Sequence, residues 1–312
     1  MAGLHVLHTQ TMPFFLLLLV ALTVGSLVTV LAAHYPHTAG VSQPSDRAAT
    51  RAGHAIAEHS TLRRLLHDSL DPAAATGLAL SVALVVILAG GFVVATLAHL
   101  VRSNSELAAI DKSVGQWGVD HRLEWSTDAL QLFTWLGDTH VVIVLAVIVG
   151  VVEYVRRPSP WILPFLAVVI GGQVVLTNGI KAILDRVRPE FNPIAETLGP
   201  SFPSGHSAVA AAFFGATALL MSRGRLPHER ALIFGLAAGI AAGVACSRVM
   251  IGVHWLSDVV AGVLFGWAWL SACSIAFGGR RLRFGAAVEE AVEVAEKDAR
   301  AHRPTRAASY GS

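Results

Sequence analysis

His254 and Asp258 stand four positions apart in Ser247-Arg248-x5-His254-x3-Asp258. At helical spacing the two side chains share a face, so the carboxylate can accept the Nδ1–H of the imidazole. Nε2 then carries its lone pair outward, as a nucleophile needs, and the aspartate stabilises the cation that develops on attack. A second histidine lies in Pro203-Ser204-Gly205-His206-Ser207, just before an apolar run. Backbone N–H groups of Ser204 and Gly205 can there face an anion, with the partial positive charge of a helix N-terminus behind them. Gly205 lacks the Cβ that would hinder the approach, and His206 is placed to give a proton to a leaving oxygen. Lys181-x6-Arg188-Pro189 supplies two cations and Arg248 a third. Lys181 and Arg188 are two turns apart and share a face if the helix persists that far; Pro189 disfavours helix at Arg188 and can turn its guanidinium over the site. Arginine forks and a lysine point charge suit phosphate oxygens. A nucleophile, an acid and three cations make a phosphoryl-transfer apparatus, in which stabilising charge on the equatorial oxygens is the leading effect.

The rest of the chain must bring these clusters together, and its composition says how. Of 312 residues, 54% are hydrophobic and 14% charged, against about 25% charged in ordinary soluble domains. The mean hydropathy is +0.59. This excludes a cytosolic globular protein and a disordered one, and a formal net charge of +2 does not suggest a nucleic-acid partner. A bilayer core about 30 Å thick requires roughly 17–25 apolar residues in a helix. Seven segments qualify or nearly do: 12–33, 72–101, 139–155, 158–180, 206–222, 231–247 and 255–278. They are continuous apolar runs without period-two alternation, so membrane β-barrel strands are excluded. The expectation is an all-α polytopic membrane bundle: a six-helix core over 77–278, preceded by one transmembrane helix with a cytoplasmic loop (1–76) and followed by a cytoplasmic tail (279–312).

Orientation follows from the basic residues. With the N-terminus outside, the connections 34–71, 156–157 and 223–230 and the tail lie inside, and they hold 16 of the 23 Lys and Arg. Strict alternation then carries all three polar clusters to the extracytoplasmic face. A lone basic residue at a membrane end is most often a snorkelling anchor. Three clusters with complementary chemistry on one face are a different matter, because ionisable residues at membrane depth mark function by default. The run 12–33 has no basic n-region and is long for a signal peptide, so it is expected to be retained.

Between the second and third spans, Leu107, Ile110, Val114 and Trp117 recur at helical spacing, with Glu106, Asp111 and Lys112 on other faces. This predicts an amphipathic helix near 103–137, either lying on the outer surface with Trp117, Trp125 and Trp135 as interface anchors or packed on the ends of the spans. Cys246 and Cys273 form neither a disulfide framework nor a metal spacing. His34, His37, His54, His59 and His67 fit no familiar metal site either.

Lys-x6-Arg-Pro, Pro-Ser-Gly-His and Ser-Arg-x5-His-x3-Asp, in this order, resemble the three signature motifs of the phosphatidic acid phosphatase type 2 superfamily, which also includes vanadium haloperoxidases. The resemblance covers residues 77–278. It implies a phosphohistidine intermediate at His254, oriented by Asp258; His206 as acid to the leaving group; a phosphate held by Lys181, Arg188, Ser204, Gly205 and Arg248; and no metal or other cofactor. It further implies a lipid phosphate or diphosphate as substrate, met at the outer face of a bacterial plasma membrane. Undecaprenyl diphosphate, phosphatidylglycerol phosphate and phosphatidic acid are all compatible. A lipid phosphotransferase, a vanadate-dependent haloperoxidase and a non-enzymatic lipid-phosphate carrier are the alternatives. Many spans count against the haloperoxidase, and a complete nucleophile–orienter–acid set counts against the carrier.

Overall fold

The uncharged stretches form helices whose ends fall where local chemistry stops them. The computed structural model of the protein describes residues 12–34, 105–121, 124–192 and 199–278, with isolated positions at 90, 91, 96 and 103. In chain order the helices are α1 (Met12–His34), α2 (Ser105–Asp120), α3 (Glu124–Thr134), α4 (Thr139–Arg156), α5 (Ile162–Leu184), α6 (Gly205–Met221), α7 (Pro227–Met250) and α8 (Leu256–Gly278), with a single 3-10 turn at Trp135–Gly137. No strand occurs among the described residues. Helices α1, α4, α5, α7 and α8 are long and apolar enough to cross a membrane, and α6, at 17 residues, is apolar but shorter. The protein is thus an all-helical integral membrane bundle. Of the expected span at 72–101 only Gly90, Gly91 and Thr96 are described, all helical, and the loop before it and the tail 279–312 lie outside the described residues.

Caps explain several boundaries. Asp138 opens α4 by accepting the N–H groups of His140 and Val141 at 2.9 and 3.3 Å. Pro227 begins α7, where its missing N–H is not needed, and Glu229 accepts the Leu226 N–H at 3.0 Å. This first polar turn carries α7 four residues further back than its apolar run at 231–247 indicates. At the end of α5, Asp185 takes a left-handed φ of 38° and donates its N–H to the Lys181 carbonyl at 3.1 Å. The helix therefore stops before Arg188, so Lys181 and Arg188 do not share a helical face; the Val187-Arg188-Pro189 stretch is non-helical, as Pro189 requires.

Helix α6 sits at the centre. Its alanine-rich sequence lets neighbours approach closely, and Val209, Phe213, Ala216 and Leu220 pack with Val142 and Ala146 of α4, Phe165, Leu166 and Val169 of α5, and Leu270 of α8. Along α4 the buried positions are Val142, Ala146, Gly150 and Glu153, a single helical stripe. Its other face exposes Ile143, Val144, Val147, Ile148, Val151 and Val155, an apolar surface suited to lipid tails.

Two close crossings set the geometry of the bundle. Helices α6 and α8 run parallel: a methyl at Gly262 would stand 2.6 Å from the Ser204 carbonyl oxygen, and one at Gly266 would clash with the Ala208 carbonyl. Helices α1 and α7 run antiparallel, with Gly235 against Thr29 and Gly25, and Gly239 against Ala21. Small residues at such crossings let backbones touch, which drives packing where lipid removes the hydrophobic contribution. The N-terminal half of α1 thus reaches the C-terminal end of α7, where Leu17 is buried with Leu130, Ala245, Val249 and Met250.

The connection before α4 is two helices and a turn rather than one surface helix. Helix α2 lies within the expected amphipathic segment, and Val114 and Trp117 pack against the core as expected, but Ile110 is 50% exposed and Asp111 only 3%. Trp125 and Trp135 are exposed as interface anchors should be, whereas Trp117 is half-buried and stacks on His121 at 5.0 Å.

Candidate active site

The parallel pairing of α6 with α8 places two helix N-termini side by side. The Ser204 N–H donates to the Asp258 carbonyl at 2.9 Å, which ties the second polar cluster to the third. Helix α7 delivers Arg248 to the same end, and Gly252, at φ 78°, makes the tight turn that sends the chain back as α8. His254 stands on this turn, just before α8 begins.

His254 is fully enclosed, at 2% exposure, and Asp258 at 0%. Asp258 Oδ2 lies 3.3 Å from His254 Nδ1 and accepts the Trp255 N–H at 3.0 Å. On the other side of the ring, Arg188 approaches Nε2 at 3.1 Å. A guanidinium has only donors, so Nε2 must be the acceptor and the ring proton sits on Nδ1, facing the aspartate. The imidazole lone pair is therefore on Nε2, where it accepts from Arg188. Burial, then the positive charges of Arg248, Arg188 and Lys181, push the His254 pKa well below its ordinary value.

Arg188 is itself anchored on backbone: Nε donates to Gly199 O at 2.7 Å, one terminal nitrogen to Val253 O at 2.8 Å and the other to Pro200 O at 3.2 Å. Burial lowers its pKa. Arg248 donates to Thr134 Oγ1 at 3.2 Å, while its Nε is buried without a hydrogen-bond partner among the described residues. A buried guanidinium N–H left over in this way is a donor that suits a phosphate oxygen. Lys181, near the end of α5, is half-buried and within electrostatic range of Asp258, Arg188 and Arg248. His206, in the first turn of α6, is within electrostatic range of His254, Arg248 and Lys181. All eight residues singled out in the sequence gather at one end of the bundle.

Ser204 takes a narrower part than its position suggests. Its backbone N–H is committed to Asp258, and its Oγ caps α6 by accepting the Ser207 N–H and hydroxyl at 3.5 and 2.9 Å. The hydroxyl proton is the donor left for an anion. Gly205 keeps open space, the nearest side-chain atom to a methyl there being Thr177 Cγ2 at 3.8 Å.

The site also uses residues that sequence reasoning passed over. Gly137 lies against the His206 backbone, where an added methyl would be 2.9 Å from the carbonyl oxygen. Thr134 holds Arg248. Arg186 donates to Asp258 Oδ1 at 2.5 Å and to Asp111 Oδ2 at 2.9 Å. The segment before α4 thus forms a wall of the site. Arg186 sits two residues before Arg188 and next to Asp185, which gave the only hint that it was more than an anchor. Among the described residues, no group of three or more His, Cys, Asp or Glu has the make-up of a metal site.

Comparison with known proteins gives a concordant result. The family model of the PAP2 superfamily matches residues 161–281. Phosphatidylglycerophosphatase B of Bacillus subtilis is 31% identical over 173 residues, covering 54% of this chain and 84% of that protein. Lipid A 1-phosphatase of Rhizobium johnstonii is 38% identical over 117 residues, covering 34% of this chain and 43% of its own length. The crystal structure of a transmembrane PAP2-type phosphatidylglycerolphosphate phosphatase from Bacillus subtilis superposes with a TM-score of 0.53 at 25% identity, over 70% of this chain and 98% of that one.

Proposed function

The chain belongs to the PAP2 superfamily, and we propose from that premise that it is a membrane phosphatase that removes phosphate from a lipid phosphate at the extracytoplasmic face of a bacterial plasma membrane. Membership together with its membrane phosphatase relatives makes it a phosphoric ester hydrolase of the bilayer. The observation that carries the reading of the site is the His254 ring, flanked by Asp258 at 3.3 Å on Nδ1 and by a guanidinium at 3.1 Å on Nε2. Such a ring has one free lone pair, and that lone pair lies among the cations that would hold a phosphate.

The chemistry proceeds in two displacements. The phosphate oxygens draw Arg188, Arg248 and Lys181, together with the N–H groups at the start of α6, and so release Nε2. The Nε2 lone pair attacks phosphorus, the N–P bond forms as the P–O bond to the lipid breaks, and His206 protonates the departing oxygen. Asp258 stabilises the imidazolium. His206, now a base, takes a proton from water; the water oxygen attacks phosphorus, the N–P bond breaks and inorganic phosphate leaves. The three cations spread the charge of both transition states.

The direction of the bundle supports the outer face. The end opposite the site carries Arg156, Arg157, Arg223, Arg225 and Arg230, the excess of a cytoplasmic side, and α8 runs from the site toward it, which would leave the tail inside. The relatives' names make phosphatidylglycerol phosphate the first substrate to try. Purified protein assayed for phosphate release against phosphatidylglycerol phosphate, phosphatidic acid and undecaprenyl diphosphate, with a chelator present, tests the reading. Release from at least one of them is expected; none from any would remove it.

A further inference from the structure

We infer that Arg186 and Asp111 are positioning residues for the reaction: Asp111, on the surface helix α2, fixes Arg186, and Arg186 fixes the Asp258 carboxylate that orients His254. The inference rests on the reading of His254 as nucleophile given above.

The two oxygens of Asp258 have separate tasks. Oδ2 faces His254 Nδ1 and accepts the Trp255 N–H. Oδ1 accepts from Arg186 at 2.5 Å. The same Arg186 nitrogen donates to Ser257 Oγ at 2.8 Å, and the other terminal nitrogen donates to Asp111 Oδ2 at 2.9 Å. Ser257 completes the ring of bonds: its hydroxyl donates to Asp111 Oδ2 at 2.6 Å and its backbone N–H to Asp111 Oδ1 at 2.9 Å. The Trp255 ring covers the guanidinium, 5.6 Å from centroid to Cζ. Asp111, Arg186 and the first turn of α8 are thereby locked together across separations of 75 and 146 residues.

This arrangement constrains the reacting ring. Asp258 has no solvent exposure, so an Oδ1 deprived of Arg186 is a buried charge without its main partner, and the carboxylate turns to recover one. Turning it moves Oδ2 off Nδ1. Asp111 plays the corresponding part for Arg186, offering a second carboxylate so that the cation is held between two anions rather than collapsed onto Asp258. A planar fork performs this double contact and an ammonium does not. Neither residue approaches phosphorus; both act through Asp258.

The test uses the full chain purified in detergent, as wild type, Arg186→Gln, Asp111→Asn, the double variant and Ser257→Ala. Phosphate release from phosphatidylglycerol phosphate is measured against substrate concentration, alongside the melting temperature. By analogy with partners that orient a ligating histidine, Arg186→Gln should lower kcat about 10–100-fold and Asp111→Asn about tenfold, with KM held within about twofold. The double variant should lose less than the product of the two single losses, because Asp111 and Arg186 act on Asp258 through one network of bonds. Ser257→Ala should lower kcat by a few fold at an unchanged melting temperature. Losses confined to KM, a double variant whose loss is the product of the single ones, or single variants with wild-type kcat would each overturn the inference. Where the charge variants do not fold, Ser257→Ala decides, and an unchanged kcat there overturns it. A wild type that releases phosphate from no lipid phosphate removes the functional reading itself, and this inference with it.

Discussion

Both ends of the bundle are rich in arginine, and they hold it in different ways. At the end formed by the turns after α4 and α6, Arg156 pairs with Glu153 one turn earlier on its own helix, Arg225 pairs with Glu229 at 3.4 Å, and Arg223 donates to the Arg157 carbonyl at 3.3 Å. Two of these are ion pairs within one turn, and the third joins neighbouring connections 66 residues apart but ends on an exposed backbone carbonyl. At the site end, Arg186 reaches across 72 residues to Asp258, Arg188 across 66 to His254, and Arg248 across 114 to Thr134. Arg188 and Arg248 there are buried and Arg186 half-buried, and their forks are held on carbonyls, a hydroxyl and carboxylates beside His254. Basic residues alone mark which way a helix crosses the membrane; what sets the site end apart is that its guanidinium forks meet a buried carboxylate and a buried histidine far along the chain.

The contrast can be broken most sharply at the nucleophile. His254→Ala should reduce phosphate release by more than about 10³-fold while leaving the protein folded, because its ring is the one braced by a buried carboxylate and facing the guanidinium of Arg188. Next, His206→Ala should cost about 10²–10⁴-fold on a lipid phosphate, and much less on an aryl phosphate whose leaving oxygen needs no proton. Equal losses on the two substrates would remove His206 as the acid. Arg188→Lys should cost about 10²-fold, since an ammonium cannot bond three carbonyls and a phosphate in one plane; kcat/KM measures it.

Smaller effects separate architecture from chemistry. Gly262→Ala should destabilise by about 1–3 kcal/mol, because the methyl must displace the Ser204 backbone, and it should lower kcat too, since that backbone carries both the His206 helix and the bond to Asp258. At the other end, Arg156→Ala leaves the wholly buried Glu153 unpaired and should cost on the order of 2 kcal/mol of stability with kcat within twofold of wild type. Arg225→Ala, in a partly exposed i,i+4 pair, should change neither. Thermal unfolding beside the phosphate assay reads all three. A large loss of kcat in Arg156→Ala would show that the two ends are not independent.

What the sequence made legible follows the same division. The helices were readable because apolar runs of membrane length have few alternatives, and the errors lie at their ends, where the polar first turn of α7 and the left-handed Asp185 extend or stop a helix without any change in apolarity. His206, His254 and Asp258 were readable because their relations are local: a helix start and a one-turn spacing. Asp111, Arg186 and Thr134 were not, since each works through a partner far along the chain. Asp111 is the clearest instance. Hydrophobic periodicity puts the charged face of a helix outward, yet this carboxylate is buried because a guanidinium and the start of α8 satisfy it, and Ile110 is left to the surface. A rule for apolar burial has no means of finding a polar residue buried by its partners.

The central claim is that His254 bonds covalently to phosphorus. Purified protein mixed briefly with a 32P-labelled lipid phosphate and quenched in alkali, where phosphohistidine persists, tests it most directly. Label on the peptide containing His254, lost on mild acid treatment and absent from His254→Ala, is the predicted result. Turnover by wild type with no protein-bound label at any quench time, or label on another residue, would contradict it.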